Sequence, residues 1–417
     1  MMKNRIVFSE LSKKSQSKLG RIIVLTGARQ TGKTTIAKQC FANYAYLAID
    51  DVMQSRELLN LTAEQWNMFY PKAILDEIQK SPALFDTIKA TYDRYPQTRY
   101  ALLGSSQFLL LEKVRESLAG RCIIMEILPL TLPELLTEKF DDNINDSFFV
   151  KYVCRQQNIN TVFPAFTLNP LYAEKINAYN YYLQYGGYPA LTDKDLTNDE
   201  REEWLNMYVK TFLERDIRDL ASFRDLEPFV KLQQYLANAT GNLANFSSIA
   251  KETGVSVPTV QRYVKYMEIS YQIVELPAWF ANPIKKLVKS PKVHFLDNGV
   301  LRGVLQKKGA ITGNEYESAI IAEIYKQITA YRLPLACYHL RTQDGREVDL
   351  LLEAEDCFIA IEIKATNNVN RTDAKHLIDL QKLLNKPLRH AFVLSNDVRK
   401  QEINENITAM HAAEFLC

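Results

Sequence analysis

The stretch RIIVLTGARQTGKTTIAKQCF, residues 21–41, constrains the fold of this chain more than any other feature. It reads as a short apolar strand, a loop with two glycines and then a helix, and the loop fits the pattern GxxxxGK[ST]. Gly27 and Gly32 allow the loop to wrap around a phosphate, with backbone N–H groups pointing inward at a helix N-terminus. The motif therefore predicts a site for the phosphates of a nucleotide.

Each position of this loop has an expected part in binding ATP. Lys33 is expected to reach the β- and γ-phosphates, and the Thr34 hydroxyl to hold Mg²⁺. The predicted ATP-binding residues are Gly27, Ala28, Arg29, Gln30, Thr31, Gly32, Lys33, Thr34 and Thr35. A chance glycine-rich turn is the alternative, and the strand–loop–helix setting argues against it.

A second acidic element follows the loop. KAILDEIQK, residues 72–80, is an apolar strand that ends in Asp76 and Glu77. Asp76 is expected to lie near the magnesium ion, and Glu77 to activate the attacking water. An acidic helix start after a strand is the alternative for this pair, and the presence of both motifs argues against it.

The first 140 residues contain further strands of the same kind. RYALLGSSQ (99–107) is an apolar strand that ends in polar residues, among them Ser105, the candidate γ-phosphate sensor. With YLAID (46–50) and CIIMEIL (122–128), five short strands alternate with helical stretches. This order predicts an α/β domain with a doubly wound sheet and a ligand at the carboxyl ends of its strands.

The motifs GARQTGKTT, LDEIQ, LLGSSQ, SLAGR (117–121) and LPLTLPEL (128–135) resemble those of bacterial AAA-family ATPases of the archaeal-ATPase-like group. The resemblance covers most of residues 18–138. It implies that Lys33 and Thr34 bind nucleotide and magnesium, that Asp76 and Glu77 are the magnesium ligand and the catalytic carboxylate, and that Ser105 or Ser106 is the sensor. Leu103-Gly104-Ser105 replaces the Thr-Gly-Ser of that family and has one hydroxyl fewer.

Arg121 is the candidate for a positive charge that reaches a phosphate from a neighbouring subunit. A structural arginine that closes a loop is the alternative. AAA modules usually place an arginine across a subunit boundary, so the resemblance also implies a homo-oligomer.

The middle of the chain changes in character. Residues 141–171 are polar and read as an insertion, and a long amphipathic helix follows the glycine turn of YYLQYGGYPAL (181–191). In NFSSIAKETGVSVPTVQRYVKYMEI (245–269), Ser256 can cap a second helix in which Pro258 fits the first turn. This is helix-turn-helix spacing.

Such a unit suggests double-stranded DNA as a partner. Polar side chains on the second helix would enter a groove and nearby lysines would hold phosphates. These residues are Thr259, Gln261, Arg262, Lys265, Lys285, Lys286, Lys289 and Lys292. The alternative is a packing or protein-contact module of the winged-helix kind that is often attached to ATPases.

The last 125 residues carry acidic residues in a strand pattern. CFIAIEIKA (357–365) alternates, with Glu362 and Lys364 on one face, and RTQDGREVDLLLE (341–353) shows an Asp-Gly hairpin signal with Glu347 and Asp349 on one face. Glu317 lies on the apolar stripe of a helix, where a carboxylate is costly without a partner. We expect metal ions held by Asp349 and Glu362 to be that partner.

The order of helix, hairpin and Asp…Glu-x-Lys resembles the PD-(D/E)xK nuclease superfamily. The resemblance implies that Asp349 and Glu362 are Mg²⁺ ligands, that Lys364 is the catalytic lysine and that Glu317 is the helix acid. Val348 stands where the motif has proline. A solvent-facing strand with a Glu–Lys pair is the alternative.

Together these features predict four parts: an AAA-type ATPase domain over 1–140, an insertion and helical region over 141–228, a winged-helix-like domain over 229–290 and an α/β PD-(D/E)xK-like domain over 291–417. This order, with GGYP and SPKVHFLDNGV between the motifs, resembles a widespread set of bacterial ATPases whose C-terminal half has no assigned function.

Composition excludes several other classes. The net charge of +2 gives no global attraction to a polyanion, and the six cysteines and five histidines form no disulfide or zinc pattern. We expect a cytoplasmic protein without a membrane segment. The predicted function is a Mg²⁺-dependent ATPase that acts on DNA, with nuclease activity as its extension. The alternative is a nucleotide-dependent switch that assembles protein partners around a non-catalytic nuclease-like domain.

Overall fold

The computed structural model describes residues 2–104, 107–154, 171–212, 217, 226–281 and 290–417. Ser105, Ser106, Lys285, Lys286 and Lys289 lie outside the described residues. Among the helices that are described, none combines the length and the apolar character needed to cross a bilayer.

The N-terminal part is a parallel sheet with helices on both faces. Its strands are β1 (Ile22–Thr26), β2 (Ala45–Ala48), β3 (Lys72–Asp76), β4 (Arg99–Leu103) and β5 (Cys122–Glu126), in the order β2-β3-β4-β1-β5. Its helices are α1 (Ile6–Ser15), α2 (Lys33–Cys40), α3 (Val52–Leu59), α4 (Ala63–Phe69), α5 (Ala83–Arg94), α6 (Gln107–Ser117) and α7 (Leu132–Leu135). The five predicted strands and their parallel pairing are present.

Strand β1 shows why this sheet needs helices on both sides. Ile22 and Val24 join one hydrophobic cluster and Ile23 and Leu25 join another, because successive side chains of a strand point to opposite faces. All five residues of β1 are buried. The apolar run that predicted a buried strand therefore contributes side chains to two hydrophobic cores, one on each face of the sheet.

The middle part is mostly helical. It contains α8 (Phe148–Cys154), α9 (Tyr172–Tyr185), α10 (Asn198–Phe212), α11 (Glu227–Asn238), α12 (Phe246–Thr253) and α13 (Val257–Ile269). An antiparallel hairpin follows, formed by β6 (Ile273–Leu276) and β7 (Lys292–Phe295).

The helix-turn-helix spacing is present in the structure. Helix α12 ends at Gly254, which has the left-handed φ of 72°, and the Ser256 side chain accepts a hydrogen bond from the backbone N–H of Thr259 at the start of α13. Val260 and Val264 of α13 are buried, while Gln261 and Arg262 are exposed. The second helix therefore presents a polar face to solvent, as the sequence predicted.

The expectation of a polar insertion over 141–171 is wrong for its α8 portion. Phe148, Phe149 and Val150 of α8 are buried in the same cluster as Phe392 and Phe415 of the C-terminal part. Aromatic side chains of this size dominate core packing. Helix α8 is therefore part of the C-terminal core, although the chain is irregular and polar before it; residues 155–170 lie outside the described residues.

The C-terminal part is a mixed sheet packed against one long helix. Its strands are β8 (Ala336–Arg341), β9 (Glu347–Glu353), β10 (Phe358–Ile363), β11 (Leu388–Ser395), β12 (Gln401–Asn404) and β13 (Ile407–His411), in the order β12-β13-β11-β10-β9-β8. Its helices are α14 (Asn298–Leu305), α15 (Gly313–Tyr331) and α16 (Ala412–Leu416). Short 3-10 turns lie at Leu19–Arg21, Ile78–Lys80, Pro189–Thr192, Arg371–Ala374 and Leu380–Leu383.

The predicted hairpin and alternation are present here. Strands β8 and β9 pair antiparallel around Gly345, whose φ is 86°, a value that favours glycine. Ile359 and Ile361 of β10 pack in one cluster with α15, and Phe358 and Ala360 pack in another on the opposite face.

Candidate functional site

The loop between β1 and α2 forms a phosphate-binding conformation. Gly27 has a φ of 144°, and a Cβ on it would lie 2.1 Å from the carbonyl oxygen of Ile127, so this position requires glycine. Gly32 precedes α2 with a φ of 90°. The loop therefore leads directly into the N-terminus of α2, where free backbone N–H groups and the helix dipole favour an anion.

Lys33 and Thr34 lie at the start of α2, beside the end of β3. The Lys33 ammonium donates to the carbonyl oxygens of Gly27 and Ala28 at 2.8 and 2.7 Å. The Thr34 hydroxyl donates to Asp76 Oδ2 at 2.7 Å. The pairing β1-β4-β3 brings the two motifs together, although 42 residues separate Thr34 from Asp76.

Asp76 also has a partner that sequence reasoning missed. The Tyr46 hydroxyl of β2 donates to Asp76 Oδ2 at 2.8 Å. Burial, together with this bond to the carboxylate, raises the pKa of Tyr46 above its ordinary value, so the phenol stays protonated and remains a donor. Tyr46 was read only as part of a strand, because the pairing of β2 with β3 cannot be seen in the local pattern.

Glu77 has a left-handed backbone conformation with a φ of 55°, which is uncommon for a residue with a side chain. Its carboxylate accepts a hydrogen bond from Gln79 Nε2 at 2.5 Å. The Gln79 amide oxygen in turn lies so close to Gly104 that a Cβ there would be 2.4 Å from it. Gln79 therefore connects Glu77 to the end of β4, where the predicted sensor Ser105 follows.

A cleft of about 540 Å³ opens over this arrangement. Residues of the loop and of the acidic pair line it, together with Pro189 and Thr211 from the middle part of the chain. The lining residues from the N-terminal part are Arg29, Gln30, Gly32, Lys33, Thr34, Thr35, Asp76 and Glu77. Sequence reasoning gave no signal that the GGYP stretch and α10 would contribute to this cleft.

Magnesium and ATP fit the residues present. Thr34 and Asp76 bring two oxygen groups to the mouth of the loop, and hard cations such as Mg²⁺ prefer oxygen ligands. The loop supplies the N–H groups for the phosphates.

Arg5 supports the loop from behind and was not predicted. Its guanidinium donates to the carbonyl oxygens of Thr31 and Leu128 at 2.7 and 2.6 Å and pairs with Glu134 at 3.2 Å. Arg5 and Glu134 are 7% and 1% exposed. A buried charge pair of this kind has to be complete, because removing one partner leaves the other charge unpaired in the interior.

Arg121 lies away from the loop in its own chain. It precedes β5, and β5 runs parallel to β1, so Arg121 is at the amino edge of the sheet, opposite to the edge that carries the loop. Its guanidinium makes two hydrogen bonds to the Asp93 carboxylate, at 2.9 and 3.1 Å. The structure therefore does not bring Arg121 to the phosphate site of the same chain, and a role toward a neighbouring subunit stays a prediction.

A second polar centre joins the three parts of the chain. Leu130 donates its backbone N–H to the Gly187 carbonyl at 2.6 Å and accepts from the Lys326 ammonium at 2.8 Å. Gly187 N–H donates to Asp297 Oδ2 at 2.7 Å. Burial raises the pKa of Asp297, which the nearby Lys326 charge opposes. The GGYP and LDNGV stretches therefore meet at the segment that follows β5.

The cluster around Glu317 differs from the expectation. Glu317, Asp349 and Glu362 do come together, but the partner of Glu317 is the Lys292 ammonium, which is 3.0 Å from Glu317 Oε1. Lys292 is 4% exposed, so the prediction that it holds DNA phosphates is wrong. Lys364 pairs with Glu362 Oε1 at 2.7 Å. Burial and the neighbouring Asp349 charge raise the pKa of Glu317 to about 7 and that of Glu362 to about 8.

With the loop, the acidic pair and the parallel sheet established, the N-terminal part can be assigned to a class. It is a P-loop ATPase domain of the AAA type, and residues 19–136 match the AAA domain family. Residues 176–310 and 312–415 match two further families, each described as a domain of unknown function (DUF8612 and DUF4143). The winged-helix and nuclease resemblances find no confirmation in these matches.

Similar proteins occur in distant organisms. An uncharacterized protein of Mycobacterium tuberculosis is 25% identical over 415 residues, which cover 95% of this chain and 83% of that protein. One from Haemophilus influenzae is 22% identical over 379 residues, or 84% of this chain and 85% of that protein. The Walker-type ATPase paby2304 of Pyrococcus abyssi matches 72% of this chain and 95% of its own with 16% identity and a TM-score of 0.43.

Proposed function

We propose that this chain is a Mg²⁺-dependent ATPase that works as a nucleotide-dependent switch, in which the nucleotide changes how the C-terminal half is held. The observation that carries the proposal is the composition of the cleft: Pro189 and Thr211 of the middle part face the same space as Lys33 and Asp76. A nucleotide in that space would contact both parts of the chain. Binding energy that differs between two arrangements shifts the balance between them.

The residues of the N-terminal domain have the following roles in this proposal. Lys33 would exchange the Gly27 and Ala28 carbonyls for the β- and γ-phosphates, and Thr34 and Asp76 would hold a magnesium ion, whose charge would balance that of the phosphates. Glu77 orients and deprotonates the attacking water, and Gln79 fixes the Glu77 carboxylate. Ser105, which lies outside the described residues, is proposed to contact the γ-phosphate.

A continuous set of buried contacts leads from the loop to the C-terminal part. Arg5 connects the Thr31 carbonyl to Glu134 of α7. Two residues earlier, at the first residue of α7, Leu132 N–H donates to Glu323 Oε1 of α15 at 2.7 Å, and Glu323 pairs with Lys326 at 2.9 Å. A displacement of the loop would therefore be transmitted to α15 through rigid, buried polar contacts.

Hydrogen exchange followed by mass spectrometry tests the switch. Protection of α15, residues 313–331, is compared with ATP and Mg²⁺, with ADP and Mg²⁺ and without nucleotide. We expect the Glu77→Gln variant to show the ATP-dependent protection of α15 without hydrolysing ATP. The Lys33→Ala variant should show no ATP-dependent protection. Equal protection of α15 in all three states, while ATP hydrolysis proceeds, would contradict the switch and leave the ATPase assignment intact.

DNA binding is the second candidate, because α12 and α13 form a helix-turn-helix whose Gln261 and Arg262 are exposed. Lys265, also exposed, pairs with Glu268. If this face binds double-stranded DNA, affinity should fall steeply with salt and Arg262→Ala should reduce both affinity and salt slope. Salt-independent or absent binding would leave the unit as a packing module.

Nuclease activity is the extension of this second candidate. It assigns Asp349 and Glu362 to magnesium and Lys364 to the attacking water. Supercoiled DNA incubated with Mg²⁺ or Mn²⁺ tests it, beside Lys364→Ala; cleavage that disappears in this variant would establish it. The Lys292 ion pairs argue against this extension, because a protein cation already lies among the carboxylates.

A homo-oligomer is part of the proposal as well. Arg121 would then leave Asp93 and reach the nucleotide of a neighbouring subunit. Sedimentation of the protein with and without ATP tests the association, and mixing Arg121→Ala with Glu77→Gln chains tests the shared site. Recovery of hydrolysis in the mixture requires that one chain supplies the arginine and the other the glutamate.

A further inference from the structure

A cluster of four carboxylates and two ammonium groups lies where the β6–β7 hairpin meets the C-terminal sheet. Glu317 comes from α15, Glu347 and Asp349 from β9, and Glu362 from β10. The two cations are Lys364, directly after β10, and Lys292, the first residue of β7. Lys292 comes from a different part of the chain from the carboxylates it meets.

The Lys292 ammonium lies within ion-pair distance of three carboxylates. Its Nζ lies 3.0 Å from Glu317 Oε1, 2.8 Å from Glu347 Oε1 and 3.6 Å from Asp349 Oδ1. Glu317 and Glu347 lie within hydrogen-bond distance of the ammonium, and the longer contact with Asp349 is an ion pair. With 4% exposure, this charge is stable in the interior only because the carboxylates surround it.

The strand that carries Lys292 is fixed on several sides. Lys292 pairs with Leu276 in the hairpin, and a backbone bridge connects it to Leu243. Two residues further along, His294 is fully buried. The backbone that carries Lys292 is therefore held beside the cluster by both pairings.

The charges that surround the cluster favour this arrangement. Burial lowers the pKa of Lys292, but the charges of Glu317, Asp349 and Glu347 together have the larger, opposite effect. The pKa therefore lies above its ordinary value and the ammonium stays charged. His294 and His339 lie nearby, and burial followed by the Lys292 charge lowers the pKa of each, so both are neutral at physiological pH. Lys292 is thus the charged group that balances Glu317 and Glu347.

The cluster does not fit a divalent cation as it stands. Such an ion needs several oxygen ligands at about 2.0–2.6 Å, and near Glu317 and Asp349 it would lie against the Lys292 ammonium. Within the part of the chain that the structure describes, no three His, Cys, Asp or Glu side chains are arranged to hold a metal ion. The metal role predicted for Glu317, Asp349 and Glu362 therefore conflicts with the observed neighbours.

We infer that Lys292 is the resident cation of this cluster and occupies the place that a divalent metal ion would take between Glu317 and Asp349. The wild-type C-terminal domain then binds no divalent cation there, and the cluster is a charged joint between the β6–β7 hairpin and the sheet. This inference does not rest on the proposed switch, since it concerns a site remote in sequence from the P-loop and is tested without nucleotide.

Binding of Mn²⁺, followed by electron paramagnetic resonance in the absence of nucleotide, tests the inference. We expect the wild type and the Glu362→Gln variant to bind the same number of Mn²⁺ ions, because the wild-type cluster holds none. Lys292→Met keeps the length and apolar stem of the side chain without its charge, and it is expected to gain one Mn²⁺ site. The double variant Lys292→Met, Glu362→Gln should lose that site again.

Two further measurements make the outcome unambiguous. Lys386→Met removes another ammonium of the same domain, 2.9 Å from Glu353, and should gain no site. Mn²⁺ should raise the melting temperature of Lys292→Met by on the order of 5 °C and leave the wild type unchanged.

Two results would overturn the inference. One is a wild-type Mn²⁺ site that Glu362→Gln abolishes, a comparison that remains decisive even if Lys292→Met fails to fold. The other is a folded Lys292→Met that gains no site, because the ammonium would then not be what excludes the ion.

Discussion

The Tyr271 hydroxyl lies 2.9 Å from Thr26 Oγ1, so a residue of the middle part contacts the last residue of the strand that carries the P-loop. The same hydroxyl lies 3.3 Å from Glu126 Oε1 at the end of β5. Burial and the Glu126 charge raise the pKa of Tyr271 well above its ordinary value, so the phenol remains a hydrogen-bond donor. This contact places the helix-turn-helix unit next to the nucleotide site.

Tyr271→Phe should therefore weaken the contact between the middle part and strand β1 and leave the nucleotide site intact. We expect a loss of about 1 kcal/mol in stability from the missing hydrogen bond. ATP hydrolysis should persist, while the nucleotide-dependent protection of residues 313–331 should become smaller. Tyr172→Phe, at a position 36% exposed, is the control and should leave both properties unchanged.

Lys33→Ala should abolish ATP hydrolysis, because the Lys33 ammonium lies at the N-terminus of α2, where it can neutralise charge on the β- and γ-phosphates. Glu77→Gln should bind ATP normally and hydrolyse it at least about 100-fold more slowly, since a general base is lost. Phosphate release and fluorescent-nucleotide binding measure the two effects. Gln39→Ala, an exposed position on the same helix, should behave as the wild type, and unchanged turnover in Lys33→Ala would contradict the assigned site.

Arg5→Ala should destabilise the N-terminal domain by about 3 kcal/mol, because Glu134 would remain as a buried, unpaired carboxylate. The Thr31 carbonyl would also lose its partner, so we expect the KM for ATP to rise more than kcat falls. Arg5→Lys should recover part of the lost stability, because its charge can still pair with Glu134. The KM for ATP should recover less, because one ammonium cannot contact Glu134, the Thr31 carbonyl and the Leu128 carbonyl as the guanidinium does. Exposed Arg56 offers a control substitution, Arg56→Ala. Equal KM values for Arg5→Ala and the wild type would show that the loop does not depend on Arg5.

Gly187→Ala should be strongly destabilising. A Cβ at this position would lie 2.2 Å from the Leu130 carbonyl oxygen, so the backbone contact at the three-part junction would have to open. We expect a loss of about 1–3 kcal/mol, typical of overpacking in a dense interior. Gly309→Ala is a matched control, because a Cβ at Gly309 would meet no atom within 4 Å. Thermal unfolding compares the two variants. Similar melting temperatures would contradict the tight approach of Gly187 to the Leu130 carbonyl.

The fold should lose stability in mild acid, because the buried His390 resists protonation in the folded chain but not in the unfolded chain. Burial, followed by the charges of Lys400 and Arg389, lowers the pKa of His390 to about 4. Between pH 6.5 and 4 the unfolded chain binds the extra proton, so the stability that neutral His390 provides is complete above pH 6.5 and is lost as the pH falls toward 4. The loss for one such group is about 3 kcal/mol.

His390→Gln isolates this contribution. The glutamine amide of this variant can still hydrogen-bond Thr408, which lies 2.9 Å from the His390 ring, but it does not titrate. Relative to the wild type, the melting temperature of the variant should rise as the pH falls from 7 to 4 and stay constant above pH 7. A difference that does not change with pH would show that folding does not lower the pKa of His390.

Much of the fold was readable from the sequence because the signals are local. A run of four apolar residues before a glycine loop predicts a buried strand, and Ser256 with Pro258 marks a helix start through contacts within three residues. The Asp344-Gly345 turn and the alternation along β10 likewise depend on neighbouring residues only. These patterns determined the elements and the pairing of the P-loop with an acidic strand.

The tertiary structure decided which groups meet. Nothing near Lys292 in the sequence distinguishes it from Lys285 or Lys289, yet its strand pairing delivers it to Glu317, Glu347 and Asp349. A lysine in a basic stretch reads as a phosphate contact because exposure is the usual state of that side chain.

The sequence by itself therefore determined a P-loop ATPase domain, the helix-turn-helix and the hairpin of the C-terminal sheet. Only the folded chain decided that Arg5 supports the loop, that Tyr271 touches β1 and that a lysine lies among the carboxylates. The physical reason is the range of the interactions. Backbone conformation follows from residues a few positions apart, whereas the partner of a buried charge is chosen by packing across the whole molecule.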